Sequence, residues 1–139
     1  MSVVDAATRA AVEERAGFRC EYCRLPLRGQ IATFPIDHPK PRRSGGLTVL
    51  SNLALACPHC NGHKWAHTVA PDPASTEVVS LFNPRVDRWE EHFQWSAADR
   101  TILEGKTAPG RATLSLLQMT HPNMVDIRRL LAALHLFSA

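Results

Sequence analysis

Residues 57–65 read CPHCNGHKW. Their two cysteines echo FRCEYC at 18–23, so Cys20, Cys23, Cys57 and Cys60 form two CxxC pairs with 33 residues between Cys23 and Cys57. Each pair offers two thiolates along one edge of a tetrahedron, and two pairs a few tens of residues apart are the usual layout of a four-cysteine zinc site. A redox CxxC needs one pair in a βαβ setting, and no such setting is legible here. Four thiolates leave no open position for water, so the spacing predicts a structural zinc and leaves His59, inside the second pair, without a ligand role. Zinc alone does not account for Asn61, His63 and Lys64, which come soon after Cys60.

Working outward, Pro58 suits the first turn of a helix, where its missing N–H costs nothing, and a helix is predicted from Cys57 to about His67. The preceding LTVLSNLALA reads as a second strand or an extended approach. RLPLRGQIATFPIDHPKPRRSGG reads as a short β-ribbon followed by a Pro/Gly/Arg-rich loop. A first helix is predicted from the N-cap Asp5 through AATRAAVEERA, stopped by Gly17. Past His67, VAPDPASTE has the composition of a linker, VVSLFNP reads as a strand, and DRWEEHFQW as a short amphipathic piece anchored by Trp89 and Trp95. TAPGRATLSLLQM and HPNMVDIRRLLAALHLF read as two helices. In the second, Met124, Ile127, Leu130, Leu131 and Leu134 fall at helical spacing, the mark of a core face. The organisation expected is a zinc-braced core with its N-terminal helix over residues 1–67, and a C-terminal extension over 68–139 packed on it.

A chain of 139 residues is one domain, with room for a small appendage, and can bury a modest core. No apolar run approaches the ~20 residues that span a bilayer, and MSVVDAATRAAVEERAG lacks the charged start and apolar middle of a signal peptide. A cytoplasmic protein with no membrane and no obligate protein partner is expected. Net charge is only +3, but residues 1–70 carry 9 Lys/Arg against 5 Asp/Glu, whereas 71–139 carry 7 against 8. A basic excess around a zinc site suggests a phosphate backbone as partner.

Between the cysteine pairs lie IDHP at 36–39 and SNL at 51–53. With CNGHK they give the order CxxC, Asp-His, Asn, CxxC-Asn-x-x-Lys. From about Ala16 to Lys64 the chain resembles the HNH endonuclease family, in the subgroup whose ββα-metal motif is braced by a four-cysteine zinc site. AGFRCEYC, DH, RSGG, LSNLALAC and CNGHK occur in family order. The resemblance implies an α+β fold: a ββα-metal core with the structural zinc site, flanked by an N-terminal helix and C-terminal helices. It also implies hydrolysis of DNA phosphodiesters (RNA being a further possible substrate) with Mg²⁺ or Mn²⁺ and a histidine general base. In that pattern His38 is the base, Asp37 and Asn61 hold the catalytic cation, and Asn52 pins the loop between the strands. Pro39 departs from the family, which more often has an apolar residue there.

The chemistry of these residues agrees. Phosphodiester hydrolysis needs a base for water and a cation for the charge on phosphate and leaving oxygen. An imidazole with an ordinary pKa of about 6.5 suits the first role, and a carboxylate is a hard ligand for the second. Neighbours on a strand point to opposite faces, so Asp37 and His38 need a twist or bulge to share a site. Arg42, Arg43 and Lys64, the last one helical turn past Asn61, are expected at phosphates. His63 and His67, spaced i,i+4, could hold a further metal. Two rival readings are a zinc-braced nucleic-acid-binding module without catalysis, using Arg42, Arg43 and the CxxC helix, and a structural zinc adaptor presenting its apolar C-terminal helix.

Overall fold

A computed structural model describes residues 4–139. The chain begins with α1 (Ala6–Arg15), capped by Asp5, whose carboxylate accepts the Thr8 amide at 2.7 Å. Gly17, at φ +66°, turns the chain out of the helix. Two arginines of α1 then reach across to the loop that leads to the second cysteine pair. Arg15 donates to the carbonyls of Leu50 and Leu53, and Arg9 to that of Phe34. Guanidinium forks can bridge several carbonyls at once, so α1 clamps both ends of the intervening segment.

β1 (Ile36–Asp37) pairs antiparallel with β2 (Ala54–Leu55), in the register Ile36↔Leu55 and Asp37↔Ala54. α2 (Pro58–Lys64) follows at once, with Cys57 as N-cap and Pro58 in the first turn. This β–β–α succession is the expected core order. Helix α2 ends earlier than expected, at Lys64, because Trp65 adopts φ 45°, ψ −121°.

Beyond His67 the structure departs from the linker expected at 69–77. β3 (Val69–Pro71) and β4 (Val78–Ser80) form a hairpin in the register Ala70↔Val79. Its turn is organised by the buried Asp72, which accepts from Ala74 N, from the Ser75 hydroxyl, and from Nε and NH2 of Arg111 at 3.0 and 2.9 Å. The Arg111 pairing holds the Asp72 carboxyl well below its ordinary range. Asp, Pro and Ser look like linker composition, yet the same residues build turns. The aromatic piece splits into α3 (Trp89–His92) and β5 (Phe93–Trp95), and β5 pairs with β6 (Leu103–Gly105), a strand too short to show alternation in sequence. α4 (Ala108–Leu116) and α5 (Pro122–Ala133) complete the chain. Among the described residues, no helix is long and apolar enough to cross a membrane.

Among the described residues the larger of two apolar clusters links the N-terminal and C-terminal parts of the chain, the smaller being Ala70, Leu81 and Ala112. The larger joins Val12, the four cysteines, Phe34, Leu53 and Leu55 to Phe82, Trp89, Phe93, Leu103, Leu117, Met119, Met124 and Leu131. The core face of α5 is rotated from the one expected. Met124 and Leu131 are buried, but Leu130 and Leu134 are exposed, and the stripe is completed by Val125 and Arg128. Arg128 is fully buried beneath Trp95, with its NH1 on the Thr101 carbonyl. Only NH1 of this guanidinium has a hydrogen-bond partner, Nε and NH2 having none among the described residues, and the Trp95 ring faces it; a reading of apolar residues alone overlooks such a group. Leu131→Ala is expected to cost about 2–5 kcal/mol in urea denaturation. Leu130→Ala should stay within about 0.5 kcal/mol, since Leu130 is 62% exposed and Leu131 only 3%.

Candidate active site and metal centre

The cysteine pairs converge as their spacing predicts. The thiol sulfurs of Cys20, Cys23, Cys57 and Cys60 all lie within 4.8 Å of one another, and all four residues are buried. Cys23 and Cys57 are 3.7 Å apart, close to the edge of about 3.8 Å that follows from tetrahedral Zn–S bonds of about 2.3 Å. In each pair the second amide points at the first sulfur at 3.4 Å: Cys23 N to Cys20 Sγ and Cys60 N to Cys57 Sγ. Hydrogen bonding to Cys20 holds the Cys23 thiol low, while bonds to Cys20 and Cys23 push Cys57 and Cys60 up. Four thiolates held this close in a buried site would repel one another, and a divalent cation among them would offset that charge. Donor type, number and spacing fit zinc.

Residues of β1 and α2 border a shallow cleft of about 260 Å³. Asp37, His38, Arg42, Arg43, Asn61 and Trp65 all border it. Asp37 and His38, neighbours in sequence, reach one site because β1 stops at Asp37. His38 thus lies outside the ladder, and Pro39, which cannot donate to one, follows it.

Asp37 is buried at the floor. Its Oδ2 accepts the Tyr22 hydroxyl at 2.5 Å, and Lys64 Nζ sits 3.3 Å from Oδ1 and 3.2 Å from Oδ2. This corrects the place expected for Lys64. Rather than facing outward to a phosphate, it is 2% exposed and ion-paired with Asp37. It is the last residue of α2, on the helix face turned to the strands. Each carboxylate oxygen has two lone pairs, so Asp37 retains acceptor capacity toward the cleft. Asn61, one turn earlier on α2, has no hydrogen bond to its side chain among the described residues.

His38 Nε2 lies 2.9 Å from the Thr48 hydroxyl. Partial burial lowers the imidazole pKa below the ordinary histidine value, with Asp37 opposing, so the ring is neutral at neutral pH. The loop that carries Thr48 is pinned by Asn52. Its Oδ1 accepts Lys40 N, and its Nδ2 donates to the carbonyls of Lys40 and Leu47, at 2.9, 2.9 and 3.0 Å. Gly46 allows that closure, since a Cβ there would fall 1.8 Å from the Lys40 oxygen. Arg42 and Arg43, in a short 3-10 turn, are exposed at the rim.

Several site residues escaped the sequence reading. Tyr22, between two metal ligands, is fully buried, and burial pushes its phenol well up, so it acts as a proton donor to Asp37. Its own carbonyl receives Trp89 Nε1 at 2.8 Å. The adjacent Glu21 accepts Leu55 N and pairs with Arg85, and burial raises its carboxyl pKa. Nothing about a polar residue inside a CxxC announces these contacts. The histidine pair also differs from expectation. Because α2 ends at Lys64, His67 packs against Trp65, while the His63 ring stacks near His59, with centroids 4.3 Å apart.

Residues 20–66 match the family model described as HNH endonuclease. That segment contains the four cysteines and every residue bordering the cleft. Neither a search of curated proteins nor one of solved structures gave a match. Because zinc would close the loop between the pairs and its binding energy becomes folding energy, Cys57→Ser should lose bound zinc and cooperative unfolding together. Metal content and circular dichroism check this, and a folded, zinc-free Cys57→Ser protein would remove the structural role of the centre.

Proposed function

We propose that the protein is a metal-dependent endonuclease that hydrolyses DNA phosphodiester bonds, with His38 as general base. The observation that carries this reading is the single cleft bordered by Asp37, His38, Asn61, Arg42 and Arg43, inside the segment that matches the HNH endonuclease family. Residues 1–67 form the catalytic unit, and 68–139 brace it through Arg85 and Trp89 on the first cysteine knuckle.

In this mechanism His38 carries its proton on Nε2, facing the Thr48 hydroxyl 2.9 Å away, and Nδ1 is the proton acceptor. Nδ1 takes a proton from the attacking water. Asp37, held by Tyr22 and Lys64, and Asn61 would supply oxygen ligands from the lining of the cleft. Mg²⁺ or Mn²⁺ bound there would offset the negative charge on the phosphate and the leaving oxygen. Arg42 and Arg43 hold flanking phosphates, and Asn52 keeps the loop bearing Thr48 closed. RNA phosphodiesters present the same reacting group and are a possible second substrate.

A binding module without catalysis would need none of Asp37, His38 and Asn61 at one cleft. Incubation with supercoiled plasmid and Mn²⁺ separates the two: the nuclease converts plasmid to nicked and linear forms, the module leaves it intact. On an oligonucleotide substrate, His38→Ala should lower the cleavage rate about 10²–10⁴-fold with zinc content and fold unchanged. Asp37→Ala and Asn61→Ala should be partly rescued by high Mn²⁺, and His38→Ala should not. Near-normal cleavage by His38→Ala would overturn the mechanism. Arg42→Ala with Arg43→Ala should weaken DNA binding and flatten its salt dependence by about one unit of slope for each phosphate left without its arginine.

A further inference from the structure

Trp65 stands out at the rim of the cleft. It is 65% exposed even with the Arg43 guanidinium 5.0 Å from its ring centroid and His67 edge-on at 5.9 Å. Its backbone sits at φ 45°, ψ −121°, a region that a bulky L residue rarely occupies and that tends to survive where the side chain has work to do. That conformation ends α2 and turns the indole outward beside the cleft instead of continuing the helix into solvent. The ring thus borders the same cleft as Asp37, His38 and Asn61, with Arg43 over it and His67 at its edge.

A large aromatic face flanked by guanidinium groups is what sequence-tolerant nucleic-acid sites use to stack bases. In an intact duplex the base faces are covered by their neighbours; only an unpaired, frayed or extruded nucleotide exposes one. We infer that Trp65 is a stacking platform for an unpaired base beside the scissile phosphate. The cleft then favours single-stranded or locally unpaired nucleic acid over continuous duplex. Arg43 contributes twice, by a cation–π contact with Trp65 and by charge toward the adjoining phosphate. The inference rests on the nuclease reading and specifies its substrate.

Binding rather than cleavage tests it, so that the two can fail separately. His38→Ala protein, without added divalent cation, is titrated with a mixed-sequence single-stranded oligonucleotide and with the same sequence as duplex. Trp65→Ala should weaken single-strand binding about tenfold, corresponding to about 1.4 kcal/mol, and duplex binding less than about twofold. Trp65→Phe should retain most of the single-strand affinity. Tryptophan fluorescence should be quenched by the single strand in the parent and not in Trp65→Phe, which keeps Trp89 and Trp95. Equal loss for both oligonucleotides, no loss for either, or quenching that persists in Trp65→Phe would overturn the stacking role and leave the nuclease reading standing. A protein that binds neither oligonucleotide would overturn both.

Discussion

Four thiol sulfurs converge on one buried point, and the rest of the molecule hangs from that convergence. β1 and β2 pair over only two residues each, far too little to hold a sheet on its own. α2 is seven residues long, shorter than an isolated helix that would persist in water. Neither element would fold alone. Cys57 lies just before α2 and Cys60 within it, while Cys20 and Cys23 sit on the turn after α1, so closing the sulfur tetrahedron brings helix, ribbon and knuckle into one unit.

The knuckle also carries the centre's order to the cleft. Glu21 ties it to the β2 backbone and to Arg85, while Tyr22 ties it to Asp37 and, through its carbonyl, to Trp89. Asp37 therefore receives one hydrogen bond from the residue next to a metal ligand and an ion pair from the end of α2. Such buried, mutually satisfied polar groups are costly to break singly. They fix the carboxylate to a small range of directions beside the cleft. The C-terminal hairpins and helices contribute by covering the knuckle's apolar side and by supplying Arg85 and Trp89.

What the sequence makes legible here is chemistry that spacing alone enforces. Two CxxC pairs have to meet if they share an ion, whatever lies between them. Asp37, His38, Asn52 and Asn61 stand out only through the resemblance of the segment to the HNH pattern, not through spacing. Contacts made by unrelated parts of the chain stay hidden. Lys64 has the sequence signature of a solvent-facing helix residue, and its burial depends on where Asp37 sits. Tyr22 and Glu21 look like filler inside a turn, and Arg128 interrupts a leucine stripe that would otherwise read as core. The end of α2 at Trp65 has no glycine or proline to announce it, so the His63–His67 pairing fails. Strands of three residues such as β3 and β6 fall below the length at which alternation can be recognised.

In the proposed nuclease, one thiolate framework positions a second, chemically different cation site between Asp37 and Asn61. Crystals soaked in Mn²⁺ and measured at the zinc and manganese absorption edges test it directly. The expected result is a zinc anomalous peak equidistant from the four cysteine sulfurs and a separate manganese peak coordinated by oxygens of both Asp37 and Asn61. A manganese peak away from either residue, or no metal among the four sulfurs, would contradict it.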